Sequence, residues 1–298
     1  MRVAIFGDVG GHLAEFGDAL VDLGCDPTRG TIPLDLTIVQ VGDLIHRGPN
    51  SRGVVAMVER FHKGSPDRWV QLMGNHESLY ILGETFQWDD KIDEQSAEII
   101  RSWWSDGWMR LAYSFDSAGM EVNFPNDGIC LVGVGQTLVT HAGLTAGLLI
   151  NLGNPKVSDL AKVLNDIGWS GDGAPFGGVF APGLMMGLKP QLSSGVIWAE
   201  ATGEVYESWA RASEAGSTPP TLHQVHGHSI PFYWGGGSWG NPLPYRLAGN
   251  GGVRVRARAI RSSRQTVVEV GSNAFFGIDP GNDSRAKVGW EPLVLEVR

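Results

Sequence analysis

The chain has 298 residues, 42% hydrophobic and 18% charged, with a formal net charge of -9. That balance supplies a sizeable core, excludes global disorder, and speaks against broad binding to nucleic acid or anionic membranes. Two cysteines, Cys25 and Cys130, make neither a CxxC pair nor a disulfide framework, so two reduced core thiols in a cytoplasmic protein are expected. No basic-then-apolar leader opens the chain. The most apolar region, Ile129–Leu152, is interrupted by Gln136, His141, Asn151 and several glycines, so no membrane span is expected.

In chain order, Arg2–Phe6 is predicted as a first, central strand. Leu13, Phe16, Leu20 and Leu23 recur at helical spacing over His12–Leu23. A loop with two prolines, Asp26–Asp35, leads to Thr37–Val41, a β-branched and apolar strand with one Gln, broken by Gly42. Val54, Val55, Met57, Val58 and Phe61 predict a helix over Ser51–His62, and Trp69–Met73 a third strand. Residues 1–77 therefore read β-α-β-α-β, a parallel sheet with right-handed crossovers.

Helices are predicted from Glu77–Ile81, Glu94–Ser105 and Val157–Ile167. Trp88, Trp103, Trp104 and Trp108 crowd one region, read as core packing of a helical subdomain in preference to an aromatic wall beside a site. A strand ends at Leu138–Thr140. Gly168–Lys189 is a long Gly- and Pro-rich loop, Val196–Ala199 a short strand, and Ala212–Pro220 a polar connector. Thr221–His228 is a strand, and Pro231–Tyr245 an aromatic-rich loop that leaves it. Val253–Ile260 alternates, with Arg254, Arg256 and Arg258 on one solvated face. Thr266–Val270, Ala274–Ile278 and Leu293–Val297 are predicted to complete a β-meander. No internal repeat or linker is evident, so residues 1–298 read as one domain with a Trp-rich helical insertion near 83–118.

Polar residues gather at the ends of apolar strands: Asp8, Asp43, Asn75, His76, His141, His226 and His228. In open α/β sheets ligands bind at that edge. Several histidines together with Asp and Asn in such positions point to a two-metal site, with Asp43 as the carboxylate able to bridge both ions. Oxygen and imidazole donors without thiolate suit two divalent ions, Mn first, with Fe, Zn or Ni as alternatives. Two ions about 3.5–4 Å apart stabilise the attacking and leaving oxygens of an in-line displacement, which is phosphoester hydrolysis by a metal-bridging hydroxide. His76, next to Asn75, is placed to protonate the leaving oxygen, and Arg47 to fork onto a phosphate.

The blocks GDVGGH (Gly7–His12), GDLIHRG (Gly42–Gly48), GNHE (Gly74–Glu77), THAG (Thr140–Gly143) and GHS (Gly227–Ser229) resemble the five blocks of the calcineurin-like metallophosphoesterases. Among these the chain is most similar to the bacterial and phage phosphoprotein-phosphatase branch, which includes serine/threonine phosphatases and symmetrical dinucleoside-tetraphosphate hydrolases. Gly195–Ala199 (GVIWA) and Gly277–Gly281 (GIDPG) resemble later pieces of the pattern. The resemblance implies an α/β fold, a four-layer αββα sandwich of two mixed sheets flanked by helices, with two metals between the sheets. By position it implies Asp8 and Asp43 on the first metal, and Asp43, Asn75, His141 and His228 on the second. It makes His76 the general acid and gives phosphate to Arg47 and Asn75.

Three departures stand out. Gly10 occupies the usual His position, and His12 follows two residues later. The glycines at 10 and 11 would let the loop bend so that His12 reaches the first metal or its surroundings; otherwise His12 caps the helix. His46 replaces an Asp that orients the general acid, so it either orients His76 or ligates metal. Glu200 stands where an Arg is usual, so one phosphate contact is either missing or supplied from elsewhere, with Arg211 and Arg246 as candidates.

The expected function is a phosphomonoesterase acting on a phosphorylated small molecule, nucleotide or phosphoprotein, with no nucleic acid or membrane partner. A first alternative is hydrolysis of dinucleoside polyphosphates, with Tyr233, Trp234 and Trp239 stacking a base. A second is a catalytically weak metal-binding interaction module.

Overall fold

The computed structural model describes residues 1–83, 86–116, 121–124, 128–131, 135–171, 177–217, 220–281 and 291–297, with only the backbone described at 121–124 and 128–131. The first sheet is built from β1 (Arg2–Phe6), β2 (Leu36–Gln40), β3 (Trp69–Leu72) and the short β4 (Met109–Arg110), all parallel. The second holds β5 (Ala112–Asp116), β8 (Gln136–Thr140), β9 (Leu222–His226), β12 (Val255–Ile260), β13 (Gln265–Val270) and β14 (Asn273–Gly277), in the order β12-β13-β14-β9-β8-β5. Its three middle strands, β14, β9 and β8, are parallel to one another. Two ribbons stand apart, β6 (Glu121–Phe124) with β7 (Gly128–Leu131), and β10 (Phe232–Tyr233) with β11 (Ser238–Trp239). The last strand, β15 (Leu293–Glu296), runs antiparallel to β1.

Side-chain alternation explains the layering. Val3, Ile5, Val39, Val41, Val70 and Leu72 face one way and meet Val139, Val225, Val267 and Phe276 of the other sheet, all buried. The opposite face of the first sheet, with Ala4, Phe6 and Ile38, packs with α1 (Leu13–Asp22) and α2 (Ser51–Gly64) through Phe16, Leu20, Val54, Val58 and Phe61. The outer face of the second sheet packs with α5 (Ala146–Asn151), α6 (Leu160–Ser170) and α7 (Glu207–Glu214) through Leu148, Leu164 and Trp209. The result is the expected four-layer αββα sandwich. The remaining helices are α3 (Asn75–Ile81), α4 (Glu94–Ser105) and α8 (Leu243–Leu247).

Four expectations are corrected. Leu293–Val297 does not extend the meander. The edge of β14 away from β13 is already taken by β9, and Leu293 and Leu295 fill the space between the sheets once β15 pairs with β1. Val196–Ala199 is a buried turn, not a strand: Val196 N–H donates to Val179 O (3.0 Å), and Ala199 N–H folds back to Gly195 O (3.1 Å). The polar connector Ala212–Pro220 is helical up to Glu214, continuing a π-helical turn at Ala201–Tyr206. The four tryptophans do not act alike. Trp103 and Trp108 are core (ring centroids 5.4 Å apart) and Trp104 lies against Trp169, but Trp88 belongs to the site described next.

Arg256 and Arg258 are exposed and Ala257 and Ala259 half-buried on β12, as expected for a solvated face. Cys25 is a buried free thiol, pushed up to about 11 by burial, while the Cys130 side chain lies outside the described residues. Among the described residues no helix is long and apolar enough to cross a membrane.

Candidate active site

Six parallel strands from two sheets point their C-terminal ends at one place. Asp8 follows β1, Asp43 follows β2 and Asn75 follows β3, while His141, His228 and Asp279 follow β8, β9 and β14. All six are buried. Carboxylates and imidazoles at this depth need partners, because desolvation penalises each charge.

The loops are held by internal clamps. Gln40, at the end of its strand, brackets Gly42: Gly42 N–H donates to Gln40 Oε1 (2.9 Å) and Gln40 Nε2 donates to Gly42 O (2.7 Å). The Glu77 carboxylate accepts the backbone N–H groups of Asp43 (2.8 Å), Leu44 (2.9 Å) and Gly74 (2.9 Å). Asp43, His46, Arg47 and His228 all sit at positive φ, between 53° and 71°. Non-glycine residues rarely adopt that conformation, and such strain collects where a site dictates the backbone. Close approach also demands glycine here. A Cβ on Gly227 would overlap Asp8 Oδ1, and one on Gly74 would overlap Asp43 Oδ1.

Lone pairs converge on one point. His141 Nδ1 lies 3.0 Å from Val41 O, which fixes the N–H there and leaves Nε2 as an acceptor. That Nε2 lies 3.0 Å from Asn75 Oδ1, 3.1 Å from His228 Nδ1 and 3.4 Å from Asp43 Oδ1, and His228 Nδ1 is 2.9 Å from Asn75 Oδ1. Edges of this length are those of donors sharing one cation at ~2.0–2.2 Å. Among the described residues, Asp43, His141 and His228 form a cluster able to hold a metal ion. Asp43 Oδ2 and His228 Nε2 are buried with no hydrogen-bond partner among the described residues. Asp8 touches the same group, its Oδ1 accepting His228 N–H at 2.9 Å.

Electrostatics point the same way. Burial lifts Asp43 to about 7 against the pull of Arg47, and burial with the charges of Asp279 and Asp43 holds Asp8 well above the usual carboxylate range. Three buried carboxylates share one arginine, so the site is short of positive charge, and a metal cation would supply it.

His76 stands beside this group, its Nε2 3.7 Å from Asp43 Oδ2. Its other nitrogen, Nδ1, lies 2.6 Å from His46 Nδ1, and His46 Nε2 lies 2.8 Å from the Tyr80 hydroxyl. Of the two roles open to His46, the structure places it against His76. Trp88 stacks on His46 (5.5 Å, 21°) and meets His76 edge-on (4.7 Å). Desolvation holds both imidazoles down at about 3.

Above the group opens a cleft of about 410 Å³. Arg47, His228, Asp279 and Glu200 line it, together with Thr202, Ser229 and Asn241 and the apolar Leu184, Met185, Ile230 and Tyr233. Tyr233 is 59% exposed.

Several expected residues are elsewhere. His12 is not brought into the metal-binding cluster. Its Nδ1 contacts Val9 O at 3.1 Å at the start of α1. The glycines at 10 and 11 do not bend the chain toward metal. They let it lie under the Asp43–Gly48 loop: Gly10 N–H donates to Asp43 O (2.7 Å), Gly11 N–H to Leu44 O (2.8 Å), and Gly11, at φ +73°, has no room for a Cβ beside Gly48 O (3.0 Å). His226 is tied to the Tyr206 hydroxyl (2.9 Å) and Gly227 O (3.1 Å). Arg211 and Arg246 are both bound to Glu207. Trp234 and Trp239 pack on Phe232, leaving Tyr233 on the cleft. Sequence reasoning passed over Asp279, Glu77 and Tyr80. The first was visible in principle, since GIDPG is another apolar strand followed by a hard ligand and a Gly.

Fold and site together define a metal-dependent hydrolase. The chain matches the calcineurin-like phosphoesterase family model over residues 1–257 and belongs to that family. Among solved structures it is similar to a cold-active protein tyrosine phosphatase, with 12% identity and a TM-score of 0.50 over 94% of this chain and 70% of that one. A cold-active protein-tyrosine phosphatase from a psychrophilic Shewanella species gives 13% identity and a TM-score of 0.47, over 94% and 78%. A serine/threonine phosphatase from Saccharomyces cerevisiae gives 14% and 0.45, over 98% and 83%. No curated protein matches the chain in sequence.

Proposed function

We propose that the chain hydrolyses phosphomonoesters with two divalent metal ions, and that it works in the cytoplasm. The observation that carries this is the convergence of Asp43 Oδ1, Asn75 Oδ1, His141 Nε2 and His228 Nδ1 beneath a cleft whose lining cation is Arg47. These four donors would hold one ion. Asp8, with Asp43 Oδ2, would hold the other, while His12 stays at its helix. Oxygen and nitrogen donors without thiolate favour Mn, with Fe, Zn or Ni as alternatives. When bound, the ions activate water and offset charge on the phosphoryl group.

The chain's own residues supply the rest. Arg47 reaches into the cleft from a loop held by Glu77 through Asp43 and Leu44, and pairs with phosphate oxygens. Asn75 offers a further polar contact. His76, aimed at the Asp43 side of the group, gives its Nε2 proton to the departing ester oxygen. Burial under Trp88 keeps bulk water from that proton.

The cleft favours a monoester over a polyphosphate. Its lining holds two carboxylates, Glu200 and Asp279, against the guanidinium of Arg47, and Leu184, Met185, Ile230 and Tyr233 add apolar surface. A chain of phosphates would lie against those carboxylates, whereas one phosphate with an uncharged organic group meets Arg47 and then Tyr233, Met185 and Ile230. Exposed Tyr233 is the one feature that favours the dinucleoside polyphosphate reading, since a base could stack there.

Purified protein loaded with Mn²⁺ should release nitrophenol from p-nitrophenyl phosphate and turn over a phosphopeptide faster than a dinucleoside tetraphosphate. Faster turnover of the dinucleotide would replace the monoester reading. No turnover with any divalent metal, together with sub-stoichiometric metal content, would make the chain a binding module.

A further inference from the structure

His46 is held at both ring nitrogens. On one side Nδ1 lies 2.6 Å from His76 Nδ1, and on the other Nε2 lies 2.8 Å from the Tyr80 hydroxyl. The Tyr80 oxygen in turn accepts the backbone N–H of Ile92 at 3.2 Å. Trp88 covers the flat face of His46, and the two imidazoles are 1% and 2% exposed. The three side chains come from two loci: His46 from the loop after β2, His76 and Tyr80 from successive turns of α3.

Hydrogen counting makes Tyr80 more than a packing residue. Between two Nδ1 atoms at this distance there is room for one proton. If His76 donates it, His46 carries its own proton on Nε2 and needs an acceptor there. If His46 donates it, His46 Nε2 is bare and needs a donor there. A phenol hydroxyl is both donor and acceptor, so it satisfies His46 in either case. A backbone carbonyl or an ammonium group would satisfy only one. The Ile92 N–H aims the hydroxyl without using its proton.

We propose that Tyr80 is a positioning residue that acts through His46 to hold the His76 ring with Nε2 presented to the departing ester oxygen. The inference rests on the general-acid reading of His76 given above. In the step it serves, a water oxygen bonds to phosphorus as the P–O bond to the leaving group breaks, the electron pair of the broken bond stays on the ester oxygen, and that oxygen takes the Nε2 proton of His76, which carries a proton on each ring nitrogen once the anionic phosphate is bound beside it. His76 is then neutral, with its remaining proton on Nδ1 shared with His46, whose Nε2–H points to Tyr80. A proton from water restores Nε2. This side-chain chain adds no negative charge, so it orients the acid without the electrostatic pull that a carboxylate would bring.

The test is a leaving-group series on the Mn²⁺-loaded enzyme. Tyr80→Phe removes one oxygen and keeps the ring. Because general acids contribute ~10²–10⁴-fold and only one of their supports is removed, kcat for phenyl phosphate should fall about ten-fold. For 2,4-dinitrophenyl phosphate, whose phenolate leaves without a proton, kcat should stay within about two-fold, with KM and metal content unchanged. Equal losses on both esters, or no loss on phenyl phosphate, would overturn the proposal. In the His46→Ala background, Tyr80→Phe should cost nothing further, and an additional independent loss would likewise overturn it. A readout separate from turnover is the long-range ¹H–¹⁵N spectrum of the histidine rings. Tyr80→Phe should shift the nitrogens of His46 and His76 together, and a change confined to His46 sinks the relay even if the wild type proves inactive. A wild type that hydrolyses no ester, with the coupled ring shifts intact, would fault the proposed activity and not the relay.

Discussion

His46 Nδ1 and His76 Nδ1 lie 2.6 Å apart beside Trp88, a contact between two imidazoles where a carboxylate–imidazole pair was implied. With Nδ1 turned to His46, the His76 ring has its Nε2 3.7 Å from Asp43 Oδ2. We expect His76→Asn to lower kcat by ~10²–10⁴-fold on a phenyl ester while leaving metal content intact. Steady-state kinetics paired with elemental analysis check this, and near-wild-type turnover removes His76 as the acid.

Asp43 offers one oxygen to the His141–Asn75–His228 group and keeps the other buried with no hydrogen-bond partner among the described residues. Asp43→Asn should therefore release metal as well as abolish activity. Metal bound only to the folded state stabilises by RT ln(1 + [L]/Kd), ~2.7 kcal/mol at a hundred-fold excess over Kd. Adding EDTA to the wild type should lower Tm, and Asp43→Asn should show little further response to EDTA. An unchanged chelator response in the variant would place the ion elsewhere.

Glu77 accepts three backbone N–H groups from two loops. Each buried donor left unsatisfied costs ~1–3 kcal/mol, so Glu77→Ala should destabilise by about 3 kcal/mol or more in urea unfolding. Glu77→Gln keeps one oxygen, which can still serve Asp43 and Gly74, and loses the bond to Leu44. Its cost should be clearly smaller. Equal costs would mean that shape, not acceptor count, matters at this position.

Stability should depend on pH with a definite sign. His46 and His76 titrate near about 3 and His226 near about 4 in the folded chain, against about 6.5 unfolded. The unfolded chain binds more protons below that value, so these histidines stabilise fully above about 6.5 and lose the contribution as pH falls. Asp43 and Glu77 run oppositely. Burial raises them to about 7 and about 8, so their stabilisation is present at low pH and lost as pH rises through those values. Above about pH 6.5 only the carboxylates of this set still titrate, and the Tm of the metal-free protein should decline toward about pH 8.5. Mn²⁺ should flatten that limb by offsetting the carboxylate charge. A metal-free Tm that rises across the window would contradict the burial cost assigned to Asp43 and Glu77.

Glu200 lines the cleft and accepts Gly203 N–H (2.5 Å) and the Thr202 hydroxyl (2.9 Å), capping the π-helical turn. Glu200→Gln keeps hydrogen-bonding capacity and removes a charge. Relative kcat/KM for a dinucleoside tetraphosphate over p-nitrophenyl phosphate should rise by several-fold, roughly the ~1 kcal/mol that one screened charge contributes near a surface. An unchanged ratio would take electrostatic selection away from Glu200.

The amino-acid sequence by itself determined the repeating unit of this protein. An apolar strand, a glycine that allows close approach, and a hard ligand recur at Asp8, Asp43 and Asn75, because strand burial and turn chemistry are local properties written in a few adjacent residues. His141 and His228 were legible for the same reason, as was the helix at Glu94–Ser105. Only the tertiary structure decided which groups meet. It sent Leu293–Glu296 to the first sheet because the neighbouring edge was occupied, and it turned Gly10 and Gly11 to packing under the Asp43–Gly48 loop while His12 stayed at its helix. It also set His46 against His76 and Tyr80, and brought Asp279 from the far end of the chain to the cleft. These outcomes depend on distances between residues up to hundreds of positions apart. Such distances arise only when two sheets stack and their strand ends share one edge.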